Sequence, residues 1–256
     1  MKLLIISDVH ANWPALRAVL ETESDADDIL CLGDLVHYGP HPAECVAWAR
    51  QMRPAGWVIQ GDHDWAAGGG GDPHSWWPDD AALAQATRAF TREMLAQEFK
   101  DFLSAIPIRS EFELDGARCA ACHASPTYPI FGQLCAESPP AVWESELAFA
   151  DRPDFLFLGH THLPMKQRFG STLVVNPGSV GRPKHGDPQA AYAVWEDGEV
   201  TLRSVPYDVD ETIRAYQGLG VDEPTLRALC AGLLLGGEVS LDLIQSCAEP
   251  SRPIQQ

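Results

Sequence analysis

The sequence predicts an α/β domain whose strands deliver chemistry at their carboxyl ends. Three observations carry that expectation. Apolar runs alternate with helical patterns in the first part of the chain, as βαβ units require. The second half is strand-rich and holds two Asp-Gly hairpin signals, Asp115-Gly116 and Asp197-Gly198. Each acidic or histidine-bearing motif follows an apolar run directly.

Leu3 to Ile6 is a continuous apolar run, as in a strand buried on both faces. Asn12 is placed to cap a helix with Pro14 in its first turn, and Leu16, Val19 and Leu20 mark one face of it. Asp28 to Leu32 reads as a second strand and Pro42 to Met52 as a helix. Trp57 to Ile59 reads as a third short strand. Gly68 to Gly71, with Asp72-Pro73 and Trp76-Trp77-Pro78, reads as a loop with aromatic content. Asp79 to Ser104 has helical spacing throughout and reads as one long helix. Ile108 to Leu114 and Ala117 to Cys122 pair around Asp115-Gly116. Phe155 to Leu158, Thr172 to Val175, Ala191 to Trp195 and Val200 to Val205 are further strands. Val209, Ile213 and Tyr216 share one helical face, and Leu226, Leu229 and Leu233 another, with Asp222 and Pro224 at its start. The expected organisation is one domain over residues 1–248, with C-terminal helices from about 208 and a disordered tail over 249–256.

The length of 256 residues is within reach of one such domain, and 45% hydrophobic with 21% charged residues is ordinary for a globular chain. The net charge of -18 is not ordinary. It repels nucleic acid and anionic membranes at long range, which weighs against stable nucleic-acid binding. A phosphate ligand would need strong local positive charge, of the kind bound metal ions supply. Seven scattered Cys make no disulfide framework and point to a reducing, cytoplasmic compartment. Cys119 and Cys122 form a C-x-x-C on a strand, where residues three apart face opposite ways, and no second pair completes a zinc site. The apolar start, Met1 to Ile6, is too short for a signal-peptide core or a membrane span.

Asp8-Val9-His10, Gly33-Asp34, Gly61-Asp62-His63-Asp64, His123 and Gly159-His160-Thr161-His162 should converge, because ligands bind outside the carboxyl ends of strands in α/β sheets. Carboxylate oxygen with imidazole nitrogen suits Mn, Fe, Co or Zn. The glycines are expected to let the backbone turn sharply off each strand. A single Asp-x-His is more often a surface turn than a ligand pair. Five such pieces at strand ends are hard to reconcile with solvated loops, and without metal such a cluster carries like-charge repulsion.

This ordered set of motifs resembles the calcineurin-like metallophosphoesterase superfamily. His10-Ala11-Asn12-Trp13-Pro14-Ala15-Leu16 and Asn176-Pro177-Gly178-Ser179-Val180-Gly181 look like its small prokaryotic phosphodiesterase branch. The likeness spans the chain to about Val205. It implies a four-layer sandwich, two mixed β-sheets packed face to face with flanking helices, and metals at one end. It also implies a binuclear centre in which Asp8, His10 and His162 take one ion, Asp62, His123 and His160 the other, and Asp34 bridges them. Two divalent ions about 3.5–4 Å apart can clamp the attacking and leaving oxygens of an in-line displacement, with a hydroxide formed between them as nucleophile. Manganese is the first choice of ion, with Fe, Zn, Ni, Co or a mixed Fe(III)/M(II) pair also compatible. His63, by the same resemblance, faces the substrate and assists the leaving group; Asp64 either orients it or is a plain surface carboxylate. The implied activity is hydrolysis of a small phosphodiester. A phosphomonoesterase, a nucleoside polyphosphate hydrolase and a non-catalytic metal-binding interaction module remain alternatives, and a homo-oligomer is compatible with all of them.

One position departs from the family, which usually has Gly-Asn-His where this chain has Gly61-Asp62-His63. Asp62 adds a negative charge beside Asp8 and Asp34. Secondary candidates surround the motifs. Trp65, Trp76 and Trp77 either stack on a nucleobase or pack against the long helix. Arg182, Lys184 and His185 either meet a phosphate or lie at the surface. His37 and His41 flank the Tyr38-Gly39-Pro40 turn, with a loop role favoured over a cleft-lining one. Tyr128 is a candidate to shape the pocket, and His74 has no assigned role.

Overall fold

Two mixed sheets divide the apolar runs of the chain between them, in a computed structural model that describes residues 1–52, 57–71 and 81–237. The first sheet holds β1 (Lys2–Ile6), β2 (Asp28–Cys31), β8 (Ala190–Glu196) and β9 (Glu199–Val205) in the order β2-β1-β8-β9. β1 runs parallel to β2, with Leu4 beside Ile29, and antiparallel to β8, with Leu4 opposite Val194. The second sheet holds β3 (Arg109–Leu114), β4 (Ala117–Cys122), β5 (Phe155–Phe157), β6 (Met165–Phe169) and β7 (Thr172–Asn176) in the order β3-β4-β5-β7-β6. β4, β5 and β7 are parallel, with antiparallel β3 and β6 at the edges.

Alternation along each strand builds the layers. Leu3 and Ile5 of β1 point between the sheets, where they meet Trp195, Phe155, Phe157, Leu173 and Val175. Leu4 and Ile6 point outward, against the residues of α1 (Trp13–Thr22), α2 (Pro42–Ala49) and α5 (Gln97–Ala105). The outer face of the second sheet, with Leu156 and Val174, is covered by Trp143 and Leu147 of α6 (Pro140–Phe149). Helix, sheet, sheet and helix are the four layers expected. A separate cluster joins α4 (Ala81–Met94), α7 (Val209–Tyr216) and α8 (Glu223–Leu235) to Tyr38. No helix among the described residues is long and apolar enough to cross a membrane.

Local details follow the residues. Asn12 caps α1 through Ala15 N, as its position predicts, and also accepts from the Thr212 hydroxyl of α7 at 2.9 Å. Asp115-Gly116 and Asp197-Gly198 both have positive φ at each residue, the turn that suits the twist of a hairpin. Cys119 lies in the core between the sheets and Cys122 under α6, so the C-x-x-C is split across the sheet. Burial pushes both thiols up to about 12, unlike a reactive pair.

Five elements differ from the sequence reading. Trp57 to Ile59 forms only one bridge, Cys31 with Val58, because the chain turns away at Gly61. The single helix expected over 79–104 is two, α4 and α5, broken where Ala96 is extended (φ -60°, ψ 154°) and Leu95 is buried. Gly68 to Gly70 belong to a π-helical turn, Ala66–Gly70, continuing from α3 (Asp62–Trp65). α6 and β6 had no expectation. Val142 and Phe149 of α6 are exposed, which blurs its apolar stripe, and β6 is a mostly exposed edge strand with no alternation to read. The tail over 249–256 lies outside the described residues.

Glu23, at the C-terminus of α1, ties the first sheet to its helical cover. It receives Lys2 Nζ, the Tyr192 hydroxyl and an Arg203 guanidinium nitrogen, each at 2.8 Å. Burial raises its pKa, but these three partners outweigh burial and leave it below the usual carboxylate range. A depressed folded pKa contributes stability above the unfolded value, about 4.3, that is lost as pH falls through the folded value. Urea unfolding should therefore show Glu23→Gln less stable than the parent at pH 7, with the gap narrowing below about pH 4.3. A gap that stays constant down to pH 2.5 would contradict this.

Candidate metal centre

The predicted site residues occupy turns just beyond the strands. Asp8 and His10 follow β1, Asp34 follows β2, and Asp62 opens α3. His123 follows β4, and His160 and His162 follow β5. Four of the seven therefore come from the first-sheet side and three from the second, and they meet across the seam between the sheets. Their turns are held to one another by backbone bonds, with Asp8 N donating to Gly33 O at 2.9 Å and His10 N to Asp34 O at 2.8 Å.

The backbone in these turns is strained. Asp8, His10, Asp34, His160 and His162 all have φ between 46° and 67°, left-handed geometry that costs non-glycine residues on the order of 1 kcal/mol each. The glycines contribute differently from expectation. Gly33 does turn the chain at φ 98°, but Gly61 and Gly159 provide clearance: a Cβ would lie 2.0 Å from Asp34 Oδ1 in the first case and from Ser7 Oγ in the second.

Side chains outside the ligand-type set pin the strained turns. Asp64 is completely buried, and its carboxylate accepts from Asp34 N (2.8 Å), Leu35 N (2.8 Å) and Gly61 N (3.1 Å). It is neither a surface carboxylate nor the partner of His63; it fastens the Gly33-Asp34 turn to the Gly61-Asp62 turn. Asn176 donates to Gly159 O (2.6 Å) and Thr161 Oγ1 (3.1 Å) and accepts from Gly178 N (2.9 Å), which holds the His160–His162 turn. Ser179 Oγ donates to Asp8 O at 2.7 Å. Asn176 to Gly181 thus acts as a clamp on the turns.

Three imidazoles are aimed by their Nδ1 atoms. His10 donates to Val36 O (3.1 Å), His123 to Leu32 O (2.6 Å) and His162 to Arg182 O (2.5 Å). A carbonyl can only accept, so each Nδ1 carries a proton and each Nε2 turns inward; for His123, burial is outweighed by the Asp34, Asp62 and Asp8 carboxylates, which push it well above the usual imidazole range. His10 Nε2 and His162 Nε2 then face each other at 3.0 Å. His123 Nε2 lies 3.4 Å from Asp34 Oδ2 and 3.3 Å from Asp62 Oδ1, and His160 Nδ1 lies 3.2 Å from Asp62 Oδ1. Asp8 Oδ1 and His123 Nε2 are buried with no hydrogen-bond partner among the described residues. Burial, aided by the Arg182 and Lys184 charges, drives His10 and His162 well below the usual imidazole range, so both are neutral acceptors. Burial and the neighbouring Asp62 push Asp34 well above the carboxylate range.

Inward-turned imidazole nitrogens and three buried carboxylates form a donor set that fits divalent cations with nitrogen and oxygen preference. Ligand atoms of Asp8, His10 and His162 lie within 4.8 Å of one another, as do those of Asp62, His123 and His160, those of Asp8, Asp34 and His123, and those of His10, Asp34 and His63.

His63 lies at the edge of this cluster, its Nδ1 2.7 Å from His37 Nδ1, and its ring stands edge-on to His10 and Tyr38 at 5.1 and 5.0 Å. His37 is therefore a cleft residue, not a loop filler. The sequence offered only a second histidine three residues past Asp34, with no periodic signal. Arg182 stacks over the Tyr38 ring at 4.0 Å and is half-buried, while His185 is exposed. Trp65 packs edge-on against Phe131, which belongs to the segment between β4 and α6 and not to the helices over 81–105. Tyr128 is 70% exposed beside α6, in a surface groove with Thr127 and Val142, and does not shape the cluster. His41 precedes α2, its backbone amide donating to Ala11 O at 2.9 Å, and its side chain is not among the ligand-type groups of the cluster. His74, Trp76 and Trp77 lie outside the described residues.

Removing the Asp64 carboxylate would leave three amides without their acceptor. Asp64→Ala should cost about 3 kcal/mol in urea unfolding, from unsatisfied buried donors; an unchanged unfolding midpoint would show that the fastening is not needed.

The comparisons with known proteins agree with this geometry. The family model of the calcineurin-like phosphoesterase superfamily domain matches residues 1–198. A metallophosphoesterase of Sphaerobacter thermophilus, known by its crystal structure, is 31% identical and superposes with a TM-score of 0.76 over 92% of this chain and 99% of that one. A hypothetical protein of Pyrococcus horikoshii shares the fold, with a TM-score of 0.78 at 22% identity over 93% of this chain and 99% of that one. Phosphodiesterase YfcE of Escherichia coli is 27% identical over 213 residues, covering 79% of this chain and 91% of that protein. Motif order, two-sheet architecture and the family match agree: the chain belongs to the calcineurin-like phosphoesterase superfamily.

Proposed function

We propose that the protein hydrolyses small phosphodiesters with two divalent metal ions held in the seam cluster. The observation that carries the proposal is the convergence of ligand-type nitrogen and oxygen atoms of Asp8, His10, Asp34, Asp62, His123, His160 and His162 in one buried cluster. One ion would sit among Asp8, His10 and His162, the other among Asp62, His123 and His160, with Asp34 between them. Bound there, the ions would neutralise phosphate charge and lower the pKa of water so that a nucleophile forms near neutral pH.

The remaining work falls to the chain itself. With His63 Nδ1 engaged by His37, its Nε2 faces the cluster, 3.7 Å from Asp62 Oδ2. A proton held there can pass to the leaving oxygen. Arg182, held over Tyr38, sets a positive charge at the rim and favours an anionic ester in a protein of net charge -18. Asp62 tilts the choice of ester. It adds a third carboxylate where a neutral side chain would leave more positive charge for the substrate, so the site favours the single charge of a diester over a monoester dianion. The name of the Escherichia coli relative, a phosphodiesterase, supports the same class.

The test pairs metal analysis with a panel of diesters, monoesters and nucleotides. Metal-loaded protein should hydrolyse diesters, and chelation should abolish turnover. His63→Asn should lower kcat about 10²–10⁴-fold with metal content unchanged, and more for alkyl than for p-nitrophenyl leaving groups. No uptake of Mn, Fe, Co, Ni or Zn by the purified protein would end the proposal.

Asp62→Asn tests the charge argument separately. Titration calorimetry should show weaker metal binding, and steady-state kinetics should show a diester-to-monoester ratio of kcat/KM that falls about tenfold, an energy of about 1.4 kcal/mol. An unchanged ratio would remove the charge explanation while leaving the hydrolase proposal in place.

A further inference from the structure

One short turn, Val36 to Gly39, aims two imidazoles at once. Val36 O accepts from His10 Nδ1 at 3.1 Å. The Tyr38 ring stands edge-on to His10 and to His63, each at 5.0 Å between ring centres. His37 has its Nδ1 2.7 Å from His63 Nδ1, with the two rings at 84°. The turn is pressed close to the His10 backbone: a Cβ on Gly39 would lie 2.2 Å from His10 O. His37 and Tyr38 both take left-handed backbone, φ 66° and 61°, which glycine alone adopts freely. A histidine that only filled space in a loop would need neither that strain nor complete burial, and His37 has both.

We propose that His37 is the positioning residue for His63, holding its ring in the one orientation that presents Nε2, with a proton on it, to the leaving oxygen. This rests on the phosphoesterase proposal and adds to it a residue that acts through His63. Two ring nitrogens 2.7 Å apart must share a proton. Asp62 Oδ2, the oxygen of an ionised carboxylate that can only accept, lies 3.7 Å from the opposite nitrogen, Nε2, and favours a second proton there. Half a turn of the His63 ring about its Cβ–Cγ bond would put carbon at both places. Cδ2 would replace Nδ1 beside His37, and Cε1 would replace Nε2 at the cluster. The bond to His37 penalises that flip, whichever ring owns the shared proton. The Tyr38 ring and complete enclosure keep His63 from swinging aside. His10, His123 and His162 are aimed by backbone carbonyls. For His63 a side chain fills that role, so one substitution can remove it.

The experiment compares His37→Gly with His37→Asn in the metal-loaded full chain. Glycine tolerates φ 66° and removes the bond; asparagine tolerates the same backbone and keeps a polar atom near the Nδ1 position. With methyl phenyl phosphate as substrate, His37→Gly should lower kcat about 10–100-fold while KM and metal content stay the same. The loss should be smaller for methyl 4-nitrophenyl phosphate, whose leaving oxygen needs less assistance. His37→Asn should recover most of the loss. In the His63→Asn background, His37→Gly should change kcat by less than about twofold, since no ring is left to position. Imidazole nitrogen NMR of the zinc-loaded parent should show His63 in a single state with a proton on Nε2, and His37→Gly should show it in mixed states. Full activity in His37→Gly, no recovery in His37→Asn, an equal loss in the His63→Asn background, or a parent His63 without a proton on Nε2 would each overturn the proposal. A parent that turns over no ester would remove the hydrolase proposal and leave the NMR spectra to decide the role of His37. Turnover with His63 bare at Nε2 would do the reverse.

Discussion

Carboxylates and inward-turned imidazoles, packed into one buried volume, set the terms for the rest of this structure. Asp8, Asp34 and Asp62 are all at most 3% exposed and share their space with imidazole edges turned toward them. Such an arrangement is unfavourable in isolation, since burial of a charge is costly unless it is paired. The fold keeps it assembled by force elsewhere: carbonyls fix the imidazoles, Asp64 fastens two turns, and Asn176 and Ser179 clamp the others. A group of that kind is stable in a working protein when it is completed by cations.

The sandwich explains how such a group is assembled. Parallel neighbours β1 and β2 end side by side and deliver Asp8 and Asp34. Parallel β4 and β5 do the same in the other sheet for His123 and His160. Face-to-face packing through Leu3, Ile5, Phe157 and Trp195 then sets the two pairs of strand ends opposite each other. The apolar core therefore does more than stabilise. A shift of one sheet along the other would separate the two halves of the cluster.

Much of this was legible in the residues. The run Leu3 to Ile6 reads as doubly buried because it is, with both faces covered. Asn12 before Pro14 reads as a cap because a side-chain acceptor there has an orphan amide to meet. The motif positions were legible because strand ends are where α/β sheets expose their turns. The rest depended on tertiary context. Left-handed φ at Asp8, His10 and His160 leaves only a weak trace in side-chain type, since Asp and His adopt it more often than most residues but glycine alone signals it strongly. Asp64 reads as either a partner of His63 or a surface carboxylate because nothing local says that three amides will point at it. His37 reads as a loop residue because its partner, His63, is brought to it by the fold. β6 is set by its pairing with β7 alone, with little apolar alternation of its own.

The position of the cluster across the two sheets also bears on the mechanics of the molecule. A cation bound between Asp8, His10 and His162 would act as a rivet through both layers, since its anchors hang from opposite sheets. Its occupancy would add to the cohesion of the sandwich by mass action, about 2.7 kcal/mol at a hundredfold excess over its dissociation constant. Supply of the ion would then govern how long the chain survives as well as how fast it works, and scarcity would loosen the molecule first along the plane where its layers touch.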